Sequence, residues 1–349
     1  MKIKAIGAYS AVQSLEGMDI SRRDPGPHDV QIAIAYCGIC HSDIHQVRAE
    51  WAGTLYPCVP GHEIVGRVVA TGSHVEKYQT GDLVGVGCIV DSCKQCEECE
   101  DGLENYCDHM TGTYNSATPD APGHTLGGYS QQIVVDERYV LRIRHPEEQL
   151  AAVAPLLCAG ITTWSPLRHW QVGPGKKVGI VGIGGLGHMG IKLAHAMGAK
   201  VVAFTTSESK REAAKTLGAD EVVVSRNAGE MATHAKSLDF ILNTVAAPHN
   251  LDAFTTLLKR DGTMTLVGAP ATPHDAPEVF NLIMKRRAIA GSMIGGIAET
   301  QEMLDFCAEQ GIVADIEMIR ADQINEAYAR MLNGDVKYRF VMDNTTLTA

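Results

Sequence analysis

Residues 173–207 read GPGKKVGIVGIGGLGHMGIKLAHAMGAKVVAFTTS. A turn-forming Gly-Pro-Gly is followed by a short apolar run, Lys177 to Val181, of the kind that makes a parallel strand buried on both faces. Gly182, Gly184 and Gly187 then form G-x-G-x-x-G. Leu186 to Met197 predicts a helix with Gly198 just past its end, and Lys200 to Phe204 predicts the next strand. Alone the motif is weak; between a strand and a helix, in a βαβ unit of about thirty residues, it is a strong sign of a dinucleotide site. The first glycine permits the tight turn, the second lets backbone approach a pyrophosphate, and the third allows close helix–strand packing. The helix start adds amide donors and the positive end of its dipole.

The same texture continues downstream. Glu208 to Leu217 predicts a helix, and Glu221 to Val224, Leu238 to Thr244, Gly262 to Val267 and Ala288 to Met293 predict strands. Six such strands make a doubly wound parallel sheet. The end of the second strand selects the cofactor: a carboxylate there favours NAD, because it accepts from the ribose 2′-hydroxyl. This chain has Thr205, Thr206 and Ser207 at that point, then Lys210 and Arg211. Hydroxyls and cations suit a 2′-phosphate, so the expected cofactor is NADP(H); Glu208 is the discordant residue.

The chain has 349 residues, which suits two domains rather than one core. A net charge of −11 repels phosphate backbones and disfavours nucleic acid as a partner. No apolar run approaches the roughly 18 residues of a membrane span. The opening MKIKAIGAYS lacks the apolar core of a signal peptide, so a cytoplasmic location is expected. In that reducing compartment, ten cysteines point to metal rather than to disulfides.

Four of them, Cys93, Cys96, Cys99 and Cys107, follow C-x2-C-x2-C-x7-C. This spacing closes a tetrahedron around zinc with no open position, which is a structural site. The opening also resembles ferredoxin-type iron–sulfur motifs, but those continue x3-C-P, and here the gap is seven with no proline. Other metal-capable groups lie in CGICHSDIH, residues 37–45, and PGHEIVG, residues 60–66. Cys40 and His62 could serve an open, catalytic zinc with three protein ligands. Spacing does not choose the third ligand among Cys37, Cys58, Cys88, Cys158 and Cys307.

Taken in order, Cys40-His41-Ser42-Asp43, Gly61-His62-Glu63, the four-cysteine loop and the glycine motif make the chain similar, over essentially its whole length, to zinc-dependent medium-chain alcohol dehydrogenases. The stretches CHSDIHQ, YPCVPGHEIVG and VKYRFVMD resemble most closely the cinnamyl alcohol dehydrogenase branch, and within it bacterial NADP-dependent aldehyde reductases of broad substrate range. That resemblance implies a GroES-like β-rich catalytic domain over residues 1–150, a Rossmann domain over 151–296, and a C-terminal segment, 297–349, returning to the first. It implies two zinc ions per chain, the catalytic one on Cys40, His62 and Cys158, with Glu63 behind it. Asp43 would orient His62, Ser42 would contact the substrate oxygen, and His45 would end a proton relay. Cofactor contacts are expected at His41, Thr162, Gly182, Gly184, Gly185, Leu186, Gly187, Thr205, Thr206, Ser207, Lys210, Thr244, Val267, Ser292, Ile294 and Arg339. Trp51, Met110 and Trp164 are the substrate-pocket candidates. The implied reaction is reduction of small aldehydes to primary alcohols by NADPH, in a homodimer without membrane or nucleic-acid partners. The rivals are an NAD-dependent zinc polyol dehydrogenase and a non-catalytic NADPH-binding protein.

Overall fold

In the computed structural model, which describes residues 1–347, the apolar runs of the second half become one six-stranded parallel sheet. Its order is Glu221–Val224, Lys200–Thr205, Lys177–Val181, Leu238–Asn243, Leu258–Leu266, Ala288–Gly291. The order reverses between Lys177–Val181 and Leu238–Asn243, which is where a doubly wound sheet opens a crevice at its strand carboxyl ends. The central strands are apolar because both their faces are covered; Val202, Phe204, Leu238, Ile241 and Met264 are all buried, whereas the fifth strand opens on exposed Lys259, Arg260 and Asp261. The fifth strand starts at Leu258 rather than Gly262, and the sixth ends at Gly291 rather than Met293. The helix after the glycine turn runs Gly187–Ala196. The segment expected as one helix from Glu208 splits into a tight turn, Glu208–Lys210, and a helix, Arg211–Thr216.

The other unit is built on antiparallel pairing. Its central strand, Asp29–Ile39, pairs with Ile64–Thr71 along one edge. On the other edge it takes Gln132–Asp136 near its start and Arg339–Asp343 near its end. The sheet order is Ile316–Arg320, Arg339–Asp343, Asp29–Ile39, Ile64–Thr71, Leu83–Val86, Leu141–Arg142. Phe340 opposite Ile39 and Val341 opposite Gly38 bring the C-terminal strand beside the start of the Cys40 segment. The chain therefore has the expected α/β architecture, a β-rich unit and a Rossmann-type sheet.

The structure divides into Met1–Ile161 with the chain from Gly295 onward, and Thr162–Ile294. The sequence reading places the first boundary after residue 150. Leu150, Val153, Leu156 and Leu157 are buried, and Leu157 packs at the face of Gly85, which keeps this stretch with the β-rich unit. No single helix among the described residues is long and apolar enough to cross a membrane.

Candidate active site

The β-rich unit gathers Cys40, His62, Glu63 and Cys158, whose ligand atoms all lie within 4.8 Å of one another. Each comes from a different local device. Cys40 caps the helix His41–Val47, and Asp43 at the third helical position reaches back to accept from the Cys40 N–H at 2.9 Å. His62 and Glu63 follow Gly61, whose φ of +102° turns the chain into strand Ile64–Thr71. Cys158 ends the buried turn Ala154–Leu157. The Cys40 and Cys158 sulfurs are 4.0 Å apart, against about 3.8 Å for two thiolates on one tetrahedral zinc. Of the five cysteines that spacing left open, Cys158 joins this group; Cys37, Cys58 and Cys307 are buried elsewhere. Cys88 stands nearby, its thiol drawn below its ordinary value by a hydrogen bond with Cys158.

The donor set fits zinc. Hydrogen bonding from Cys158 holds the Cys40 thiol well below its ordinary value, which is the state a metal ligand needs. His62 Nδ1 donates to Asp43 Oδ1 at 3.1 Å, leaving Nε2 for metal. Burial opposes charge on His62, but Cys88 and Asp43 raise its value well above ordinary. Glu63 is fully buried, and its Oε2 has no hydrogen-bond partner. Burial pushes this carboxyl up to about 7 while Arg339 pulls the other way. The resemblance puts Arg339 at the cofactor; the structure instead engages its 4% exposed guanidinium with Glu63 and the Ile39 carbonyl. A buried cation needs a carboxylate, and the return of strand Arg339–Asp343 beside Gly38 supplies one.

Ser42 lies one helical step from the thiol, with its Oγ 3.6 Å from Cys40 Sγ. His45 Nδ1 bonds the Glu50 carboxylate, so that nitrogen carries the proton and Nε2 faces away from it. The Trp51 ring stacks on His45 at 5.1 Å. His41 is exposed on the first turn of the same helix. Met110 is half-buried at the end of the cysteine loop, where its N–H donates to the Cys107 carbonyl. Trp164, a pocket candidate, is 3% exposed under the guanidinium of Arg168, which is a core position.

The second metal group is Cys93, Cys96, Cys99 and Cys107. The Cys93 and Cys99 sulfurs are 3.9 Å apart, and Ser92 Oγ lies 3.1 Å from Cys99 Sγ. The Gln95 backbone N–H and the Cys96 thiol draw Cys93 down to about 6. No fifth donor belongs to this group among the described residues, as a closed structural site requires.

In the parallel-sheet unit, a cavity of about 450 Å³ opens at the strand carboxyl ends. Gly182, Gly184, Gly185, Leu186, Thr205, Thr206, Lys210 and Thr244 line it. Gly182 has φ of +90°. A Cβ on Gly187 would sit 1.8 Å from the Gly182 carbonyl oxygen, whereas one on Gly184 would meet nothing within 4 Å. Lys210 Nζ donates to the Ile183 carbonyl at 2.9 Å, which swings it across the glycine turn. Arg211 is committed elsewhere, to Glu208, Glu230 and the Val222 carbonyl. No acidic side chain lines the cavity among the described residues.

Ser207 sits at the rim, its Oγ 2.7 Å from that of Ser209. Val267 and Ser292 continue the sheet through N–H bonds to Asn243 and Leu266. Thr162 is buried, and Ile294 has φ of +39°. These five and Gly187 do not line the cavity. The sequence reading missed its far wall, where Met231, His249, Asn250 and Phe254 stand. His249 Nδ1 donates to the Ala247 carbonyl, and Nε2 accepts from Asn243, so both nitrogens are satisfied and the ring offers its face. The loop after the fourth strand, at the switch point, was the available signal.

Comparison with known proteins places these features in context. Residues 26–145 match the alcohol dehydrogenase GroES-like domain, and residues 185–309 match the zinc-binding dehydrogenase domain. The chain is 88% identical to the aldehyde reductase YahK of Escherichia coli over the full length of both. It is 54% identical to NADP-dependent alcohol dehydrogenase C 1 of Mycolicibacterium smegmatis, over 99% of each. Among solved structures, a cinnamyl alcohol dehydrogenase of Sorghum bicolor superposes with a TM-score of 0.94 at 43% identity, covering 99% of this chain and 98% of that one. CAD from Helicobacter pylori, solved with NADP(H), gives 0.91 at 40% identity over 99% of each.

Proposed function

The chain belongs to the zinc-binding alcohol dehydrogenases with a GroES-like domain, and from that premise we propose that it reduces aldehydes to primary alcohols with NADPH. The observation that carries this is the donor set Cys40, His62 and Cys158 beside Ser42, in a chain whose cofactor cavity presents Thr206 and Lys210 and, among the described residues, no carboxylate. When bound, zinc supplies Lewis-acid polarisation of the carbonyl, and NADPH supplies the hydride. The residues supply ligation, orientation and the proton. Ser42 Oγ hands its proton to the product oxygen. His45, with Nδ1–H tethered to Glu50, leaves Nε2 free to take up a proton from solvent, and the imidazolium so formed returns that proton to the Ser42 alkoxide. The flat wall formed by Trp51 on His45 suits an aromatic or aliphatic aldehyde.

The same reading extends to assembly and location. The sixth strand, Ala288–Gly291, is a sheet edge, and the adjacent helix Val279–Ile283 exposes Val279, Phe280 and Ile283 at 60% or more. An open edge flanked by exposed apolar side chains suits pairing with a second copy, so the proposed assembly is a homodimer, and ten cysteines without a disulfide suit the reducing cytoplasm. The test is loss of reduced-nicotinamide absorbance with benzaldehyde, first with NADPH and then with NADH. Fast turnover with NADPH and little with NADH supports the proposal. Preference for NADH would return the polyol dehydrogenase, and no turnover with fully zinc-loaded protein would overturn catalysis.

A further inference from the structure

The Asp43 carboxylate is 0% exposed, yet it has donors on both oxygens. Oδ1 accepts from His62 Nδ1 at 3.1 Å and from the Gly61 N–H at 3.2 Å. Oδ2 accepts from the Cys40 N–H at 2.9 Å and from the Tyr129 hydroxyl at 3.0 Å. Three of these donors belong to the metal-binding segments themselves. The fourth, Tyr129, comes from GGYS, residues 127–130, a stretch to which the sequence reading gave no role.

The chain is built to deliver that hydroxyl. Gly127 N–H, Gly128 N–H and Tyr129 N–H donate to the carbonyls of Val59, Gly61 and Pro60, laying this segment along the turn that presents His62. The approach is too close for side chains. A Cβ on Gly61 would fall 2.6 Å from the Tyr129 ring, and one on Gly127 would fall 2.4 Å from the Pro60 carbonyl oxygen. The Tyr129 ring is fully buried, so its hydroxyl has no water to fall back on. The Tyr328 side chain, also buried, lies within electrostatic reach of Tyr129 and Asp43.

We infer that Tyr129 is a positioning residue for the metal ligand His62, acting through Asp43. This rests on the reading that Cys40, His62 and Cys158 hold zinc. With the phenol in place, both carboxylate oxygens are fixed and the Asp43 plane cannot turn, so Oδ1 stays on His62 Nδ1 and Nε2 stays aimed at the metal. Without it, Oδ2 keeps a single donor in a dry site. The carboxylate gains freedom to rotate, and His62 loses its fixed azimuth. Tyr129→Phe would preserve the packing on Gly61 and remove only the clamp.

The test uses the full chain loaded at both metal sites. Wild type and Tyr129→Phe are challenged with a chromogenic chelator, and the same proteins carrying cobalt(II) at the catalytic site are compared by visible ligand-field absorption. Partners behind a zinc ligand are typically worth 10–100-fold in metal affinity, and Tyr129 stands one bond further out, so release of the catalytic zinc should quicken by roughly 3–10-fold. Release from the Cys93–Cys107 loop should be unchanged, and the cobalt bands should shift. In an Asp43→Asn background, Tyr129→Phe should add less than about 2-fold, because its route to His62 is already cut. That cycle also separates positioning from a general loss of packing, and thermal unfolding checks that each variant is folded. Unchanged release and unchanged cobalt bands in folded Tyr129→Phe would overturn the inference, as would an equal effect with and without Asp43. A wild-type protein that releases only one class of zinc would instead overturn the site on which the inference stands.

Discussion

Two glycines three residues apart, Gly184 and Gly187, should respond in opposite ways to the same added methyl group. At Gly187, a Cβ would lie 1.8 Å from the Gly182 carbonyl oxygen and 2.9 Å from its carbon. Both atoms are backbone, so relief requires the strand–helix turn itself to move by more than an ångström. Overpacking that side chains can absorb costs about 1–3 kcal/mol, and here the upper end applies because no side chain can give way. At Gly184, the Cβ would meet nothing within 4 Å, and the residue is not among those with positive φ. Gly184→Ala should therefore leave stability within about 1 kcal/mol of wild type, with some gain from a less free unfolded chain. The open space it fills is the cofactor cavity, which Gly184 lines. Holding the pyrophosphate off the backbone amides forfeits charge-assisted hydrogen bonds of about 1.5–3 kcal/mol, or roughly 10–100-fold in Kd. Urea unfolding and NADPH fluorescence titration measure the two quantities. Gly187→Ala should lose stability first and binding as a consequence; Gly184→Ala should lose binding alone. A Gly184→Ala protein that binds NADPH like wild type would refute the assignment of this cavity as the pyrophosphate cradle.

Lys210→Glu should raise KM for NADPH by about 10-fold, a modest value because the side chain is exposed, and leave KM for NADH unchanged or lower; equal changes in both would remove Lys210 from phosphate recognition. Cys96→Ser should release the loop zinc and lower Tm by about 3 °C or more, read by metal content beside thermal unfolding; a metal-depleted protein of normal stability would refute a structural role. Asp29, buried yet held below its ordinary 3.8 by Arg23 and the Gly26 N–H, contributes stability that is present above that value and lost as pH falls through the lower folded one. Asp29→Asn should accordingly cost about 1 kcal/mol at neutral pH, and the difference from wild type in denaturant titrations should vanish in strong acid; a difference independent of pH would contradict this. Phe280→Glu, at a side chain 68% exposed, should shift sedimentation from dimer to monomer with the fold retained; an unchanged mass would move the interface elsewhere.

What the sequence determined by itself is what lies within one turn or one strand. The strand–GxGxxG–helix unit is legible because strand burial, turn geometry and helix packing each leave their mark within a few residues. The four cysteines of residues 93–107 are legible because one metal closes one short loop. Tertiary structure decided whatever depends on residues far apart in the chain. Cys158 meets Cys40 across 118 residues, and the spacing of five candidate cysteines could not single it out. Lys210 and Arg211 look alike in sequence, yet Glu230, nineteen positions away, takes Arg211 while Lys210 remains at the cavity. Arg339 turns to Glu63 across 276 residues, and Tyr129 reaches Asp43 across 86. A local motif carries its partners with it, whereas a buried charge or hydroxyl takes its partner from whatever strand the fold lays beside it.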